Sequence, residues 1–383
     1  DFLAKVMEHA QARGADVVLD LSSDKLKELA HKKPLLIKPN HHEMKAIFGV
    51  PVDTDDEVRV AMKMAHDAGV NVLLTRGSRG DAYFSNGEDI WYAKREFNIK
   101  LVSSVCAGDC TLAAFLHKWY RDRDNVEEAM KLAMATGANV AESVALATSV
   151  TLTSTASALL SASSIASKRY TTYSWFYGVP ILAGRIFVIA NERQCKRSCI
   201  CAAPCRFAAA PHAFYTVCRV AIAFSRSVEY TFINTLLVKG TYMIYTLTAN
   251  PAIDYNIACD GLSANTVTRT RNAVYTPNGK GLNVSFTLDH YGVDTTILAF
   301  AGFSGEFIVK GAEALGVPVK PVWTDGITRA RFLNAGPDTE YNMVNAGAAI
   351  NAANEQEMFD LIDSLDDMTC LVISGLAAPQ HFR

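Results

Sequence analysis

A turn of small residues spans Ser104 to Asp109 and precedes an apolar run from Thr111 to Leu116. The run predicts a helix, and the free backbone N–H groups and the dipole at a helix N-terminus favour an anion. Such a turn can hold a phosphoryl group during transfer, and Asp109 beside it can accept a proton from an attacking hydroxyl as general base. The alternative, on this segment alone, is that Asp109 caps the helix.

A second candidate segment runs from Pro277 to Val284 and reads PNGKGLNV. Two glycines in one turn allow a ligand to approach the backbone closely. Asn283 offers both a donor and an acceptor, which suits sugar hydroxyls. The alternative is ordinary turn chemistry with no ligand.

A third segment, from Leu36 to Glu43, places Asn40 and Glu43 three residues apart where a strand is expected to give way to a helix. Oxygen ligands at this spacing can share one face and hold hydrated magnesium, which usually keeps several waters. The alternative is a capping box, in which Asn40 is the N-cap and Glu43 completes it.

A fourth segment, Leu74 to Gly80, reads as a strand that enters a glycine turn. A glycine turn at a strand end can lie against nucleotide phosphates or ribose. Taken alone, the segment predicts only a turn.

The elements that must position these segments follow one pattern in two parts of the chain. From the start to about Thr148, and again from Met243 to Arg383, short apolar runs alternate with helical stretches. This alternation predicts parallel strands joined by crossover helices, which is an α/β fold.

The net charge of -2 gives no reason to expect nucleic acid or an anionic membrane as partner. No run approaches the ~20 apolar residues of a membrane span, so we expect a cytoplasmic protein.

The intervening segment, residues 149–242, has a different composition. It contains ten Lys or Arg, two Glu and no Asp, and it shows no clear helical or strand period. Three interpretations remain open: an inserted basic module, a disordered linker, and translated sequence never selected as protein.

Together the four segments resemble the ribokinase-like phosphofructokinase B family of sugar kinases, in which a GAGD turn, a GGKGxN turn, a KPNxxE segment and a strand followed by a glycine turn recur. Within the family the chain most closely resembles the 1-phosphofructokinases, whose opening strand is similar to the segment Ile244 to Asp254, while Thr328 to Arg331 resembles a T-R-x-n segment of the whole family. The GGKGxN half comes first in the family but second here. The resemblance therefore implies a circularly permuted order.

In that order, residues 1–148 correspond to the C-terminal, nucleotide-binding and catalytic half, and residues 243–383 to the N-terminal half with the sugar site and lid. Residues 149–242 become an atypical basic linker, for which a disordered and a non-native interpretation both remain open. The implied fold is a central, mostly parallel sheet flanked by helices, with a small β lid contributed by the Met243 to Gly347 region. Family members commonly pair through that lid, so the resemblance also implies a homodimer.

The resemblance assigns roles to residues of this chain. The implied catalytic residues are the base Asp109 and the anion-holding turn Cys106, Ala107 and Gly108. The implied sugar-phosphate site comprises Asp254, Gly279, Lys280, Gly281, Asn283 and Arg329. The implied nucleotide site comprises Lys38, Thr75, Gly77, Gly80, Gly137 and Asn139, and magnesium is assigned to Asn40 and Glu43 through water.

The implied activity is transfer of the ATP γ-phosphate, with Mg²⁺, to a ketohexose phosphate, fructose 1-phosphate being the first choice. Kinases of fructose 6-phosphate or tagatose 6-phosphate are alternatives within the class. An alternative of another class is a catalytically impaired protein that binds sugar phosphate or nucleotide, or a read-through product of a rearranged gene.

The sequence departs from the family pattern at four places. Cys106 replaces a glycine, so the turn is expected to adopt a backbone angle that only glycine adopts cheaply. Asn278 replaces a second glycine, and asparagine tolerates left-handed angles better than most residues. Residues 376–379 read LAAP where family members usually have SLPP, and the resemblance ends near Thr148.

Overall fold

The computed structural model describes residues 1–21, 23–101, 103–142, 165–171, 242–259, 264–335 and 340–375. Most of the atypical segment and the LAAP departure at 376–379 therefore lie outside the described residues. The chain divides into two compact units, Asp1–Phe187 with Met243–Arg383, and Val188–Tyr242. The first unit contains every candidate site residue and is described below.

Ten strands of the first unit form one sheet, in the order β11-β10-β7-β14-β1-β2-β3-β4-β5-β6. The strands from β11 to β3 are parallel, and β4, β5 and β6 are antiparallel at one edge. Their bounds are β1 Asp16–Asp20, β2 Leu36–Ile37, β3 Asn71–Arg76, β4 Asp81–Ser85, β5 Asp89–Arg95, β6 Ile165–Thr171, β7 Met243–Thr248, β10 Thr295–Ala301, β11 Val319–Trp323 and β14 Met368–Ser374.

Helices cover both faces of this sheet. Their bounds are α1 Phe2–Ala12, α2 Ser23–Ala30, α3 His41–Phe48, α4 Asp55–Asp67, α5 Ala107–Trp119, α6 Val126–Ala141, α7 Lys280–His290, α8 Glu306–Ala314 and α9 Ala352–Asp363. Because strand side chains alternate between faces, Tyr83 packs into the core under α1 to α4, whereas Phe84 packs on Phe115 and Trp119 of α5. Coverage of both faces explains why all seven residues of β10 are buried.

A second sheet of four strands forms the small lid that the family resemblance implies. Its order is β13-β12-β8-β9, with bounds β8 Ala252–Ala258, β9 Arg271–Asn278, β12 Arg329–Ala335 and β13 Glu340–Val344. The predicted α/β fold with a mostly parallel sheet and a β lid is confirmed.

The two separated parts of the sequence meet in the middle of the large sheet. β14 pairs in parallel with β1, so that Cys370 is the register partner of Asp16 and Ser374 of Asp20. The last described strand and the first strand of the chain are therefore neighbours, and they belong to one core with α1 and α9.

Residues 165–171 belong to the segment in which no regular element was predicted, and they form β6. This edge strand pairs antiparallel with β5 from Asp89 to Arg95. The pairing uses backbone groups, which explains how a segment without a hydrophobic period can still add to a sheet. Among the described helices, none is long and apolar enough to cross a bilayer.

Candidate functional site

Asp109 lies in the first turn of α5, where its carboxylate is buried with 6% of the residue exposed. Asn283, in the first turn of α7, donates a hydrogen bond from Nδ2 to Asp109 Oδ2 at 2.9 Å. The same nitrogen lies 3.1 Å from the sulfur of Cys106. The beginnings of two helices, one from each part of the sequence, therefore meet at the predicted base.

Cys106 is the N-cap of α5 and has φ 64° and ψ -12°, which is the left-handed region. The expectation of a glycine-type angle at this position is confirmed, and the cysteine adopts it at a steric cost. Asn278 behaves differently from the expectation. It ends β9 in register with Ala252 and does not have a positive φ, so its tolerance of left-handed angles is not used.

The amides of the first helical turn have no partner within the helix, because the first four N–H groups of any α-helix have none. In α5 these belong to Gly108, Asp109 and Ala107, and the N–H of Ala107 donates to the carbonyl oxygen of Ser104 at 3.4 Å. A Cβ added to Gly108 would lie 3.4 Å from Lys38 Nζ. Helix amides and an ammonium group thus face the same space, an arrangement that favours an anion.

Asp20 is the last residue of β1, and the sequence analysis did not single it out. Its Oδ1 lies 3.3 Å from Lys38 Nζ and 3.4 Å from Lys280 Nζ, with 1% of the residue exposed. Burial by itself would raise the pKa of Asp20, but the two lysines outweigh burial and hold the pKa below its ordinary value. Asp20 in turn is the largest cause of the raised pKa of Lys280. The carboxylate therefore favours the charged form of Lys280 beside the predicted anion-binding turn.

The pKa of Asp109 is raised to about 6. Burial is the largest cause, since it penalises the charged carboxylate, and the negative charge of Asp20 adds to it. Lys280, the hydrogen bond from Asn283 and Lys38 oppose the rise. A carboxylate with this pKa is ionised at neutral pH and is a stronger proton acceptor than an ordinary aspartate.

A chain of hydrogen bonds connects the lid to this cluster. Asn278 Nδ2 donates to Asp254 Oδ2 at 2.7 Å, and Arg331 Nη1 lies 3.4 Å from the same oxygen. Asp254 Oδ1 and Arg329 Nε are buried and have no hydrogen-bond partner among the described residues. Unpartnered buried polar atoms are costly, so this pair indicates a place for a polar ligand.

Gly279 and Gly281 bring the start of α7 against the end of β7. Gly279 has φ 155°, and a Cβ there would meet Thr248 Cγ2 at 2.6 Å. A Cβ on Gly281 would lie 2.4 Å from Thr248 Oγ1 and 3.0 Å from the carbonyl oxygen of Leu247. Close packing of helix and strand accounts for both glycines, and it places Lys280 at the carboxyl end of the parallel strands.

Asn40 and Glu43 form the capping box that the sequence analysis gave as an alternative. Asn40 Oδ1 accepts from the N–H groups of His42 at 2.8 Å and Glu43 at 3.0 Å, and Glu43 Oε2 accepts from the N–H of Asn40 at 2.8 Å. After Asp20 and Asp109, the charge of Glu43 also raises the pKa of Lys280, so this carboxylate faces the cluster.

The capping box already uses Asn40 Oδ1 and Glu43 Oε2 as acceptors, so the predicted contact of these residues with magnesium would pass through water. Among the described residues, no group of three or more His, Cys, Asp or Glu side chains could enclose a metal ion. Hydrated magnesium does not need such a group, because it is usually held by one or two carboxylates and keeps its waters. The second carboxylate oxygen of Glu43 fits this use.

The turn after β3 lies beside the Asn40 segment, since Thr75 and Asn40 form an isolated parallel bridge. Gly80 adopts φ 67°, and a Cβ there would contact the guanidinium of Arg95 at 3.0 Å. Gly77 begins the short 3₁₀ turn Gly77–Arg79. These three predicted nucleotide residues therefore follow one another along the carboxyl edge of the sheet.

Gly137 and Asn139 lie in α6. A Cβ on Gly137 would meet Thr111 Oγ1 at 2.2 Å and the carbonyl oxygen of Ala107 at 3.4 Å. Close approach of α5 and α6 thus explains Gly137 without a ligand. Its predicted place near adenine, and that of Asn139, stay predictions.

The structure brings together residues that sequence reasoning treated separately or missed. Asp20 was missed, Asn278 was noted only as a departure, and Arg329 was preferred to Arg331. The position of Asp20 at the end of a strand between two polar segments was the one signal that could have identified it, because active sites of open α/β sheets lie at the carboxyl ends of strands.

Comparison with known proteins relates the chain to a family of kinases. The pfkB family carbohydrate kinase profile matches residues 1–152 and 246–383. D-tagatose-1-phosphate kinase of Klebsiella oxytoca is 44% identical over 146 residues, which is 38% of this chain and 47% of the relative. The 1-phosphofructokinase of Bacillus subtilis is 34% identical over 149 residues, which is 39% of this chain and 48% of the relative.

Each alignment thus spans about half the length of the curated relative that it matches. The phosphofructokinase-2 of Escherichia coli, solved with fructose 6-phosphate, is 28% identical with a TM-score of 0.34 over 37% of this chain and 48% of that protein. That overlap is too small to support the fold, which rests on the strands and helices described above. The family profile, in contrast, covers both parts of the sequence that build the site, and the chain belongs to the pfkB family of carbohydrate kinases.

Proposed function

We propose that this chain transfers the γ-phosphate of ATP to a hydroxyl of a ketohexose phosphate. The observation that carries the proposal is the position of Asp109, a buried carboxylate with pKa about 6 in the first turn of α5. This carboxylate lies beside the N–H groups at the start of α5, the ammonium groups of Lys38 and Lys280, and the amide of Asn283. Phosphoryl transfer depends mostly on positioning and charge neutralisation, which this cluster supplies.

In the proposed reaction, Asp254 binds a sugar hydroxyl through Oδ1 and the guanidinium of Arg329 holds the phosphate of the substrate, with Gly279, Lys280, Gly281 and Asn283 lining the sugar. Asp109 accepts the proton of the attacking sugar hydroxyl while the oxygen of that hydroxyl forms a bond to the γ-phosphorus. The bond from that phosphorus to the β-phosphate oxygen breaks, and ADP leaves.

The amides of the turn from Cys106 to Asp109 hold the transferring group, and Lys38 and Lys280 neutralise its charge. Thr75, Gly77 and Gly80 lie along the nucleotide, with Gly137 and Asn139 near adenine. When bound, magnesium would add charge neutralisation at the phosphates, held through water by Glu43 with Asn40 beside it.

We also propose that the two parts of the sequence are the halves of one kinase in circularly permuted order. The parallel pairing of β14 with β1 supports this, because a crossover through α1 would join them if the chain ends were continuous. Residues 149–242 would then connect the C-terminal end of one half to the N-terminal end of the other.

Two sugars lead the list of substrates. Fructose 1-phosphate is favoured by the resemblance to 1-phosphofructokinases and by the relative of that name in Bacillus subtilis. Tagatose 1-phosphate is favoured by the 44% identity to the kinase of that name in Klebsiella oxytoca. The two sugars differ at one stereocentre, so both need a phosphate grip and several hydroxyl contacts.

The test is ADP release from MgATP with four sugars: the 1-phosphates and the 6-phosphates of fructose and tagatose. We expect turnover that prefers a 1-phosphate, and a fall of about 1,000-fold or more in kcat for Asp109→Asn. Asp67→Asn, on the exposed end of α4, is the matched control and should leave kcat unchanged. Absence of turnover from folded wild-type protein with all four sugars would refute the proposed activity and leave a binding protein as the interpretation.

We propose in addition that two copies pair through the lid. Tyr275, Tyr255, Phe332 and Met343 are successive register partners across its four strands and so lie on one face. Tyr255 lies 4.9 Å from Tyr275 and 4.7 Å from Phe332 between ring centres, and half of Tyr275 and of Met343 is exposed. An exposed apolar row of this length is typical of an interaction surface.

A further inference from the structure

Asn278 is a buried polar residue to which the proposed reaction assigns no role. It is 7% exposed and ends β9, immediately before the glycine turn. Its Nδ2 donates to Asp254 Oδ2 at 2.7 Å. Its Oδ1 accepts from the N–H of Gly279 at 2.5 Å and from Asn283 Nδ2 at 3.3 Å. One amide therefore touches both the residue that faces the sugar and the residue that holds the base.

On the lid side, Asn278 determines which oxygen of Asp254 remains for a ligand. Asp254 Oδ2 is held by Asn278 Nδ2 and Arg331 Nη1, whereas Oδ1 is buried without a partner in the described part of the chain. A carboxylate held through one oxygen presents the other in a fixed direction. The contact thus orients Oδ1 before any sugar arrives, which reduces the ordering cost of binding.

On the catalytic side, Asn278 orients the amide of Asn283. Asn283 Nδ2 has two hydrogens and three acceptors nearby, namely Asp109 Oδ2 at 2.9 Å, the sulfur of Cys106 at 3.1 Å and Asn278 Oδ1 at 3.3 Å. The carbonyl of Asn278 fixes which end of the Asn283 amide faces Asp109, because only the NH₂ end can donate.

We propose that Asn278 is a positioning residue that sets the sugar-binding carboxylate Asp254 and the base Asp109 in one geometry. The inference rests on the proposed function, since it assumes that a sugar hydroxyl lies between these two carboxylates. An amide suits this position because it donates to a carboxylate at one end and accepts at the other. The glycine that the family resemblance led us to expect at this position would make neither side-chain hydrogen bond.

The test compares Asn278→Ala and Asn278→Asp with Asn256→Ala. Asn256 lies in β8 of the same lid and also reaches β9, with its Nδ2 3.5 Å from Thr276 Oγ1 and from the carbonyl oxygen of Val274, but it touches neither carboxylate. We expect Asn278→Ala to lower kcat/KM by about tenfold or more, as for loss of a hydrogen bond to a charged group. Asn256→Ala should stay within about twofold.

The pH profile separates positioning from a merely structural role. Asp109 is faced by Asp20, Lys38, Lys280, Cys106, Cys110 and Asn283. Of these, Asn283 lowers the pKa of Asp109 through its hydrogen bond. If Asn278→Ala frees the Asn283 amide, the acid limb of kcat/KM moves to higher pH. A variant that only loosened the lid would raise KM and leave that limb in place.

Asn278→Asp replaces the donor to Asp254 by a second carboxylate at the same distance. Two carboxylates this close raise the pKa of one of them, so they share a proton at lower pH and repel each other once it is lost. Affinity for fructose 1-phosphate, measured by calorimetry without ATP, should therefore fall more at pH 8 than at pH 6. Calorimetry keeps this arm independent of turnover. If Asn278→Ala does not fold, Asn278→Gly takes its place, because the glycine is compatible with the family fold.

Two results would overturn the inference while the kinase activity stands: an unshifted acid limb in Asn278→Ala, or equal sugar affinity of Asn278→Asp at the two pH values. If the wild-type chain neither binds nor phosphorylates any of the four sugars, the proposed function fails and the role of Asn278 fails with it. The shifted limb together with pH-dependent affinity supports the inference.

Discussion

At the scale of single residues, the site depends on charges that are unfavourable when considered separately. Asp20 and Asp109 are both buried, and each disfavours ionisation of the other, as the raised pKa of Asp109 shows. Lys38 and Lys280 offset the repulsion between the two carboxylates, because the Nζ atom of each lysine lies within 3.4 Å of Asp20 Oδ1. The result is a carboxylate with a raised pKa next to two cations, which are the groups that the proposed phosphoryl transfer requires.

The pKa of Asp109 predicts the pH dependence of catalysis. A general base must be deprotonated, so kcat/KM should rise with pH through about 6 and be level above it. Asp20→Asn removes the neighbouring negative charge and frees both lysines to face Asp109, so the limb should move to lower pH. The measurement is initial rate from pH 4.5 to 8.5 at low sugar concentration. A limb at the same pH in both proteins would contradict the assigned electrostatics.

The left-handed angle of Cys106 predicts a difference in stability between two substitutions. Cys106→Ala keeps the steric cost of φ 64°, whereas Cys106→Gly removes it. Glycine also gains freedom in the unfolded chain, which offsets part of the benefit. We therefore expect Cys106→Gly to exceed Cys106→Ala by ~1 kcal/mol in free energy of unfolding. Urea titration of both variants measures this difference, and equal midpoints would show that the turn carries no strain.

At the scale of elements, helix starts rather than loops bring the two parts of the sequence together. α5 begins at the proposed base and α7 at the proposed sugar site, and they pack on each other while α6 packs on α5. Close contacts at glycines keep these helices in place. Gly281 against Thr248 and Gly137 against Thr111 are the tightest examples, with distances of 2.4 and 2.2 Å from an added Cβ.

The contact between α5 and α6 predicts a double-mutant coupling. Gly137→Ala should lower the free energy of unfolding by ~1–3 kcal/mol, because its Cβ would overlap Thr111 Oγ1. Thr111→Ala removes that oxygen and leaves the Thr111 Cβ position 3.6 Å from the new atom. The double variant should therefore be more stable than the sum of the single effects by ~1 kcal/mol or more. Additive effects, with a raised KM for ATP in Gly137→Ala, would favour a nucleotide role for Gly137 instead.

At the scale of the whole molecule, one sheet unites both ends of the sequence. Seven parallel strands contain contributions from both parts, and the β14–β1 pair lies at their centre. The lid is built entirely from the later part, and the proposed base comes from the earlier part. Neither part alone contains all the residues of the proposed site.

Rejoining the ends predicts that the order of the halves is not essential. We expect a chain that starts at Met243, continues from Arg383 into Asp1 and ends at Thr171 to unfold cooperatively and to keep the sugar preference. The core contacts among the described residues are the same, and moving the chain ends changes mainly the entropy of closure. Circular dichroism melts and ADP release check this. An aggregated or unfolded rearranged chain would show that residues beyond Thr171 are required.

The apolar row on the lid, formed by Tyr275, Tyr255, Phe332 and Met343, predicts the oligomeric state of the protein. Phe332→Arg places a charge in the middle of the exposed aromatic row and should convert a dimer to a monomer in sedimentation experiments. Val60→Arg, at an exposed valine of α4, is the control and should stay dimeric. A monomeric wild-type protein, or dissociation of both variants, would contradict pairing through the lid.

The sequence by itself determined the class of fold, the lid, the turn at Asp109 and the glycine-type angle at Cys106. The fold class and the turn follow from local features, namely the apolar period and the small residues before a helix. The lid and the angle at Cys106 follow from the resemblance to the family. The capping box of Asn40 and Glu43 was also predictable, because its partners are three residues apart.

Only the tertiary structure decided which charges meet. Asn283 reaches Asp109 across 174 positions of sequence, and Lys280 reaches Asp20 across 260. A hydrogen bond acts over about 3 Å, and no local pattern specifies which distant residue will come within that reach. The packing of strands in one sheet makes these approaches, and for that reason Asp20 and the bridge through Asn278 became visible only in the fold.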